Sequence, residues 1–136
     1  MKVILNKCYG GFGFSHEAIM LFAKEKGITL FPYASNHPNK YSRLSDEEAD
    51  NAFLIYYFTE DFGDCPKNSD IDWSKHFYFN DDYRADPVAV SIVERLGERA
   101  NGRFAKLVVV DIPDGMKYTI DDYDGVETLH EAVPVW

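Results

Sequence analysis

Cysteine is scarce in this sequence, and its scarcity excludes two classes of small protein. The 136 residues contain only two cysteines, Cys8 and Cys65. Two cysteines supply neither the several disulfides of a small secreted domain nor the ligands of a cysteine-based zinc site. We therefore expect two reduced thiols, as in a cytosolic protein. The chain is long enough to bury a hydrophobic core without such crosslinks.

Long apolar runs are also missing from the sequence. No segment approaches the roughly 20 apolar residues that cross a bilayer as a helix. The run Val3-Ile4-Leu5 near the N-terminus is shorter than the apolar core of a signal peptide. The sequence therefore predicts a cytoplasmic protein without a membrane partner.

Basic residues are few compared with acidic ones. Lys and Arg total 14 against 23 Asp and Glu, which gives a formal net charge of −9. A surface of this sign repels phosphate backbones, so direct nucleic-acid binding is not expected. It favours solubility, or the electrostatic steering of a basic protein partner. The nine Tyr and ten Phe residues indicate a ligand or partner surface in addition to a core.

The N-terminal pattern predicts a strand, a loop and a helix. A short apolar strand spans Lys2 to Lys7, and a glycine-rich loop follows it. Ser15 is a good N-cap for the next helix. Ile28 and Leu30 then alternate into a second strand, which we expect to end near Pro32.

Residues 34–83 form an irregular, insertion-like middle in which few elements are predicted. Ser45 and Glu48 have the spacing of a capping box, which indicates a short helix. Residues 52–58 and 77–79 are candidates for short strands. Turn signals separate them, and the role of this segment does not follow from its sequence.

The C-terminal third predicts a second helix, a hairpin and a last short helix. Asp86 followed by Pro87 is a helix start. A strand over Lys106–Ile112 precedes a turn, and Met116–Asp121 reads as its antiparallel return strand. Asp124 fits the N-cap of a short helix. We therefore predict a single α+β domain over residues 1–136, with two main helices packed on a mixed β-sheet, a C-terminal hairpin and a short helix.

The glycine-rich loop between the first strand and the first helix is a candidate ligand site. Glycines let a backbone approach a ligand closely, and N–H groups at a helix start attract anions, so a nucleotide-type small molecule is the predicted ligand. The loop matches neither a Walker loop nor the dinucleotide fingerprint. The alternative is a tight turn with Phe12 and Phe14 filling the core. The residues of the predicted site are Gly10, Gly11, Gly13, Ser15 and His16.

Candidates for catalysis and metal binding are weaker. Asp121, Asp122 and Asp124 form an acidic run, but a calcium loop would need an acid where Ile120 stands, so we predict no metal site. The alternative is a solvated turn with an N-cap. Cys8 ends the first strand and is a candidate nucleophile, although the sequence names no base for it. No cofactor and no catalytic residue are predicted.

The acidic middle of the chain is a candidate surface for a protein partner. Residues 46–72 hold nine acidic residues and one basic residue, Lys67. Aromatic side chains supply binding hot spots and charges supply steering. The alternative is a solvated, irregular flank. The predicted partner-binding residues are Tyr56, Tyr57, Glu60, Asp61, Asp64 and Trp73.

Motifs at both ends of the chain carry a family resemblance. They are Lys2 to Ser15 with its Cys8-Tyr9-Gly10-Gly11-Phe12-Gly13 core, Asp86-Pro87, Asn101 to Leu107, Ile120-Asp121-Asp122-Tyr123-Asp124-Gly125, and the terminal Trp136. With these motifs the chain resembles a family of small uncharacterised bacteriophage and prophage proteins. The resemblance implies a small protein in the host cytoplasm that acts on host processes during infection. It brings no activity, cofactor or catalytic residue.

Three functional hypotheses follow from the sequence. The leading one is a phage-type, non-enzymatic protein that captures or inhibits a host factor, such as a defence component, through its acidic aromatic surface. A second is a sponge that binds a nucleotide-type signal at the Gly10–Ser15 loop. The third is an enzyme of unknown class that uses Cys8 or the carboxylates of Asp121, Asp122 and Asp124.

Overall fold

Antiparallel pairing joins the strands of the computed structural model, which describes residues 1–36 and 38–132. The α+β class is confirmed, whereas the predicted motif residue Trp136 lies outside the described residues. The strands and helices are β1 (Lys2–Asn6), α1 (His16–Glu25), β2 (Phe31–Asn36), β3 (Lys40–Arg43), α2 (Asp46–Asn51), β4 (Tyr56–Phe58), β5 (His76–Phe77), α3 (Pro87–Leu96), β6 (Leu107–Asp111), β7 (Tyr118–Tyr123) and β8 (Val126–Glu131). Short 3₁₀ helices cover Asn68–Asp70, Trp73–Lys75, Asp81–Tyr83 and Gly97–Ala100.

The chain divides into two units. Unit 1 combines Met1–Phe22 with the chain from Phe79 onward, and unit 2 is Ala23–Tyr78. Unit 2 is thus inserted, in sequence, between the two parts of unit 1, and it contains most of the segment 34–83 that we predicted to be insertion-like. That the whole chain is a single domain stays a prediction.

The core of unit 1 forms around the pairing of β1 with β6, in which Ile4 lies opposite Val109. Helix α3 contacts both strands. It begins as predicted, because Asp86 Oδ1 accepts the N–H of Val88 at 2.8 Å and Pro87 lies in the first turn. Such a cap contributes about 1 kcal/mol. The apolar stripe of α3 is buried and consists of Ala89, Val90, Ile92 and Val93.

The C-terminal hairpin differs from the predicted one. β7 pairs with β8, not with β6, and the predicted last short helix is the strand β8. The reason is the turn at Asp124-Gly125, where φ is +50° and +95°. Two successive residues with positive φ make the type I′ turn that closes a two-residue hairpin. Asp124 therefore lies in a turn and does not cap a helix. Strand β6 pairs with β1 instead of with β7.

The core of unit 2 lies against a sheet with the strand order β3-β2-β4-β5. Tyr33 and Phe58 are fully buried on it, and Ile71 packs beside them. The second strand begins at Phe31 and runs through Pro32, so our expectation that it ends near Pro32 is wrong. β3 ends opposite Tyr33, so Pro32 lies beyond the β3 pairing. A missing N–H is tolerated at such a position.

Helix α2 shows that the middle of the chain is more regular than its composition predicts. The Ser45 hydroxyl accepts the N–H of Glu48 at 3.2 Å, and the Glu48 carboxylate accepts the N–H of Ser45 at 3.0 Å. This reciprocal pair is the predicted capping box. The predicted strand at 52–58 is present as the shorter β4.

Candidate functional site

The glycine loop of unit 1 packs against two other backbone segments. The N–H of Gly10 donates to the carbonyl of Asp124 at 2.9 Å. A Cβ on Gly10 would lie 2.5 Å from the Cβ of Phe104, and one on Gly125 would lie 2.5 Å from the nitrogen of Gly10. Farther along the loop, Gly13 accepts a backbone hydrogen bond from residue 102 at 2.9 Å. Close backbone packing therefore explains Gly10 and Gly125, and it supports the alternative of a tight turn.

The start of α1 is already occupied by protein groups. The Ser15 hydroxyl accepts the N–H of Ala18 at 3.1 Å and donates to the carbonyl of Arg99 at 2.6 Å. His16 is only 8% exposed. The structure thus brings Ser15 and His16 beside the loop as predicted, but it gives them capping and core positions. The nucleotide-type ligand stays a prediction.

A cleft opens beside Phe12, within unit 1, with a volume of about 630 Å³. Its apolar walls come from the glycine-rich loop, from Phe79 at the start of the second part of unit 1, and from β7. Its polar groups come from residues 80–84, which include the 3₁₀ helix Asp81–Tyr83, and from the β7–β8 hairpin. The residues that line it, here named the unit 1 cleft, are Phe12, Phe79, Asn80, Asp81, Arg84, Tyr118, Ile120, Asp122 and Glu127.

A buried ion pair forms part of the cleft lining. Arg84 and Glu127 have side chains that are 6% and 5% exposed. Their contacts are two parallel hydrogen bonds, Nη1 to Oε1 at 2.8 Å and Nη2 to Oε2 at 2.5 Å. Arg84 Nη1 also donates to the Ile4 carbonyl at 3.0 Å, and Glu127 Oε1 accepts the N–H of Asn6 at 2.7 Å. The pair therefore connects β1, β8 and the segment before α3.

Further contacts hold the guanidinium in place. Arg84 Nε donates to Asp81 at 2.8 Å, and its Cζ lies 4.0 Å from the centre of the Phe12 ring, a cation–π distance. Burial alone would lower the pKa of Arg84. The hydrogen bonds to Glu127 and Asp81 outweigh burial and raise that pKa above its ordinary value. Arg84 is therefore a fixed cation whose charge is offset by two carboxylates.

The acidic run of the hairpin has structural contacts of its own. Asp122 Oδ1 accepts the N–H of Gly125 at 2.6 Å, and Asp121 lies 3.0 Å from His130. No group of metal-ligating side chains occurs among residues 1–36 and 38–132. Cys8 Sγ lies 3.5 Å from the carbonyl of Tyr9. Of the three acidic residues Asp121, Asp122 and Asp124, only Asp122 lines the cleft.

The predicted partner-binding residues of unit 2 separate into two groups. Tyr57 is buried, and its pKa is raised by that burial and then by the charges of Asp50 and Asp46. Asp61 and Asp64 both form ion pairs with Arg43. The hydrogen bond from Gly63, with further contributions from Arg43 and Tyr33, holds the pKa of Asp61 below its ordinary value. Tyr57 therefore stabilises unit 2 by its burial. Asp61 and Asp64 are exposed but also stabilise unit 2 through their ion pairs.

The second group stays at the surface. Trp73 is 40% exposed, Tyr56 is half-buried and Glu60 is exposed. The Trp73 ring contacts Tyr41, Tyr56, Phe58 and His76, with ring centres 5.3 to 6.0 Å apart. The Nδ1 atom of His76 is buried there without a hydrogen-bond partner among the described residues. Trp73 is thus anchored by its neighbours while part of its ring faces solvent.

No protein-family model, curated protein or solved structure matches this chain. Among the described residues, no helix is both long and apolar enough to span a membrane. The sites above are therefore the basis for assigning a function.

Several important residues were missed by the sequence. Arg84 stands in a stretch without a motif, and Glu127 follows Asp124 in the segment for which a short helix was predicted. The exposed pair Phe53-Leu54 was not singled out either. The Asp124-Gly125 dipeptide was the available signal for Glu127, because a hairpin turn there places residue 127 on a strand with alternating faces.

Proposed function

We propose that this chain is a non-enzymatic binding protein that captures a basic protein partner through the surface of unit 2. The phage resemblance makes a host protein the natural partner. The observation that carries the proposal is the exposure of large apolar side chains in an acidic unit. Exposed fractions are 72% for Phe53, 58% for Leu54, 40% for Trp73 and 67% for Tyr78.

Exposed aromatic and aliphatic side chains are the usual anchors of protein interfaces. Adjacent apolar residues on a surface mark interaction sites more often than single ones do. Phe53 and Leu54 are adjacent in the chain and exposed. Trp73 is held by neighbouring rings, so little conformational entropy is lost when a partner covers it. These features support binding by contact.

The charge around Phe53 and Leu54 supports a basic partner. Helix α2 carries Asp46, Glu47, Glu48 and Asp50, and it has no basic residue in its last turn. The chain then runs directly into Phe53. Carboxylates beside an apolar anchor accelerate the association of a positively charged surface.

The proposed surface differs from the predicted residue set. Tyr57 is removed because it is buried. Asp61 and Asp64 are removed because both are paired with Arg43, whose single charge offsets one of their two. Glu60, Tyr56 and Trp73 are kept. Phe53, Leu54 and Tyr78 are added on their exposure.

Affinity capture from host lysate with matched variants tests the proposal. The double variant Phe53→Ser, Leu54→Ser removes the apolar anchor. Tyr123→Ser is the control, because Tyr123 is 73% exposed but belongs to unit 1. We expect a basic protein to be retained by the wild type and the control, at low salt more than at high salt, and to be lost from the double variant. Equal retention by the double variant, or no retained protein at all, would contradict the proposal.

The nucleotide sponge is tested separately by calorimetric titration with linear and cyclic nucleotides. Gly13 has a backbone conformation open to other residues and free space at its Cβ position. Gly13→Val is therefore a fair probe of ligand approach. Because the loop is packed against other backbone segments of the protein, we expect the nucleotides to give no binding heat. A heat that is lost in Gly13→Val would restore the sponge as the better hypothesis.

A further inference from the structure

We infer that the unit 1 cleft binds a small organic cation with a flat apolar body, such as an aromatic amidine or amine. The site lies in unit 1, whereas the proposed protein-binding surface lies in unit 2. A negative result for one of the two proposals therefore does not count against the other. The cleft also differs from the predicted anion site, with which it shares only the loop.

The size of the cleft suits a small organic ligand. Its volume of about 630 Å³ falls within the roughly 300–1,000 Å³ of typical ligand pockets. Four apolar or aromatic side chains line it. They are Phe12, Phe79, Tyr118 and Ile120. These side chains give the flat body of a ligand an apolar surface on which to pack.

The charge of the cleft selects a cation. Its lining carries one positive formal charge, on Arg84, and three negative ones, on Asp81, Asp122 and Glu127, which is a net charge of −2. The charge of Arg84 is directed into Glu127, Asp81 and the Ile4 carbonyl. A ligand therefore meets a surplus of carboxylate. An anion, including a nucleotide phosphate, would be repelled.

Two carboxylates are in a position to receive the cation. The Asp81 side chain is 83% exposed although one of its oxygens accepts from Arg84. Asp122 uses Oδ1 for the N–H of Gly125, and the structure shows no hydrogen bond from a described residue to its Oδ2. Each carboxylate is thus oriented by one internal contact.

The cleft is organised before a ligand arrives. Glu127 accepts from Arg84 through both oxygens and from Asn6, and the Phe12 ring lies against the guanidinium. Phe79 stacks on Phe14 with ring centres 4.0 Å apart. A preorganised site loses less entropy on binding, so even a small ligand is bound measurably.

The test is an NMR titration of the ¹⁵N-labelled full chain with three probes of one shape. Benzamidine is the cation, benzamide the neutral isostere and benzoate the anion. We expect benzamidine to shift the amide signals of residues 79–84 and 118–122, benzamide to bind at least about fivefold more weakly, and benzoate to cause no shift. No shift with benzamidine, equal binding of benzoate, or shifts elsewhere in the chain would overturn the inference.

Matched variants separate charge from shape. Asp122→Asn keeps an oxygen for the Gly125 N–H, and we expect it to weaken benzamidine about fivefold without changing benzamide. Asp82→Asn is the control, because Asp82 is an exposed acid next to Asp81 in the 3₁₀ helix Asp81–Tyr83 and does not line the cleft. Ile120→Trp fills the cleft and should abolish both probes. Equal effects of the Asp82 and Asp122 variants would overturn the charge argument even if every variant folds.

Discussion

Unit 1 buries an ion pair beside its apolar core, whereas the core of unit 2 is built around aromatic rings. In unit 1, an ion pair between Arg84 and Glu127 is buried with Asn6 and makes further hydrogen bonds to the Ile4 carbonyl and the Asn6 N–H. In unit 2, aromatic rings of Tyr33, Phe58 and their neighbours fill the core. The ion pair of unit 1 holds its residues together by directional hydrogen bonds and by charge. The aromatic core of unit 2 holds its residues together by the fit of their shapes. We therefore expect unit 1 to lose stability when one buried charged group is removed. We expect unit 2 to lose stability when core volume or a single buried hydroxyl group is removed.

The largest effect is expected from Glu127→Ala in unit 1. The substitution leaves the buried Arg84 guanidinium without its main partner, which costs about 3–5 kcal/mol in the free energy of unfolding. Chemical denaturation measures this difference. Glu131→Ala is the control, because Glu131 is exposed on the same strand. A loss below about 1 kcal/mol for Glu127→Ala would mean that the ion pair does not organise unit 1.

Gly10→Ala should have the next largest effect. The new Cβ would lie 2.5 Å from the Cβ of Phe104, and φ at this residue is +136°. We expect a loss of about 2–4 kcal/mol, from overpacking and backbone strain together. Gly13→Ala has free space and should lose less than about 1 kcal/mol. Equal losses in thermal or chemical unfolding would contradict the packing role of the loop.

Tyr33→Phe is the corresponding test in unit 2. The Tyr33 hydroxyl lies 3.0 Å from the Gly63 carbonyl and accepts the N–H of Phe62 at 2.9 Å. Since the ring remains in place, only these contacts and the 3.2 Å contact of the hydroxyl with Asp61 Oδ1 are lost. We expect a cost of about 1–2 kcal/mol. Tyr123→Phe, on an exposed residue, is the matched control. A neutral Tyr33→Phe would show that shape alone holds this core.

The smallest effect is a pH dependence that comes from His76. Burial lowers the pKa of His76 below its ordinary value, so the folded protein favours the neutral ring. Because the unfolded chain takes up the proton first, stability is lost as pH falls below about 6.5 towards the folded pKa. His76→Phe should flatten the slope of stability between about pH 7.5 and pH 5.5. An unchanged slope in His76→Phe would show that His76 does not titrate in this range.

Local signals in the sequence predicted the helix starts well. Ser15, Ser45 and Asp86 each act as the expected cap, because a cap depends only on residues two or three positions away. Strands β1 and β6 were predicted from their apolar runs. Their pairing with each other was not, since more than 100 residues separate them.

The candidate sites could be predicted only in part. Phe12 and Asp122 were named from the loop and the acidic run, and both line the cleft. Arg84 and Glu127 are 43 residues apart in the chain, so no local pattern joins them. At Asp124 two local signals competed, a helix cap and a hairpin turn, and the positive φ at Gly125 decided for the turn. Side-chain exposure in unit 2 depends on tertiary packing, which composition does not show.

A double-mutant cycle on Arg84 and Glu127 tests most directly the claim that a buried ion pair organises unit 1. The free energy of unfolding is measured for Arg84→Met, Glu127→Leu and the double variant. Because each single variant leaves a buried charge without its main partner and the double variant removes both charges, we predict that the double variant costs less than the sum of the singles by at least about 2 kcal/mol. Additive costs, to within about 0.5 kcal/mol, would contradict the claim.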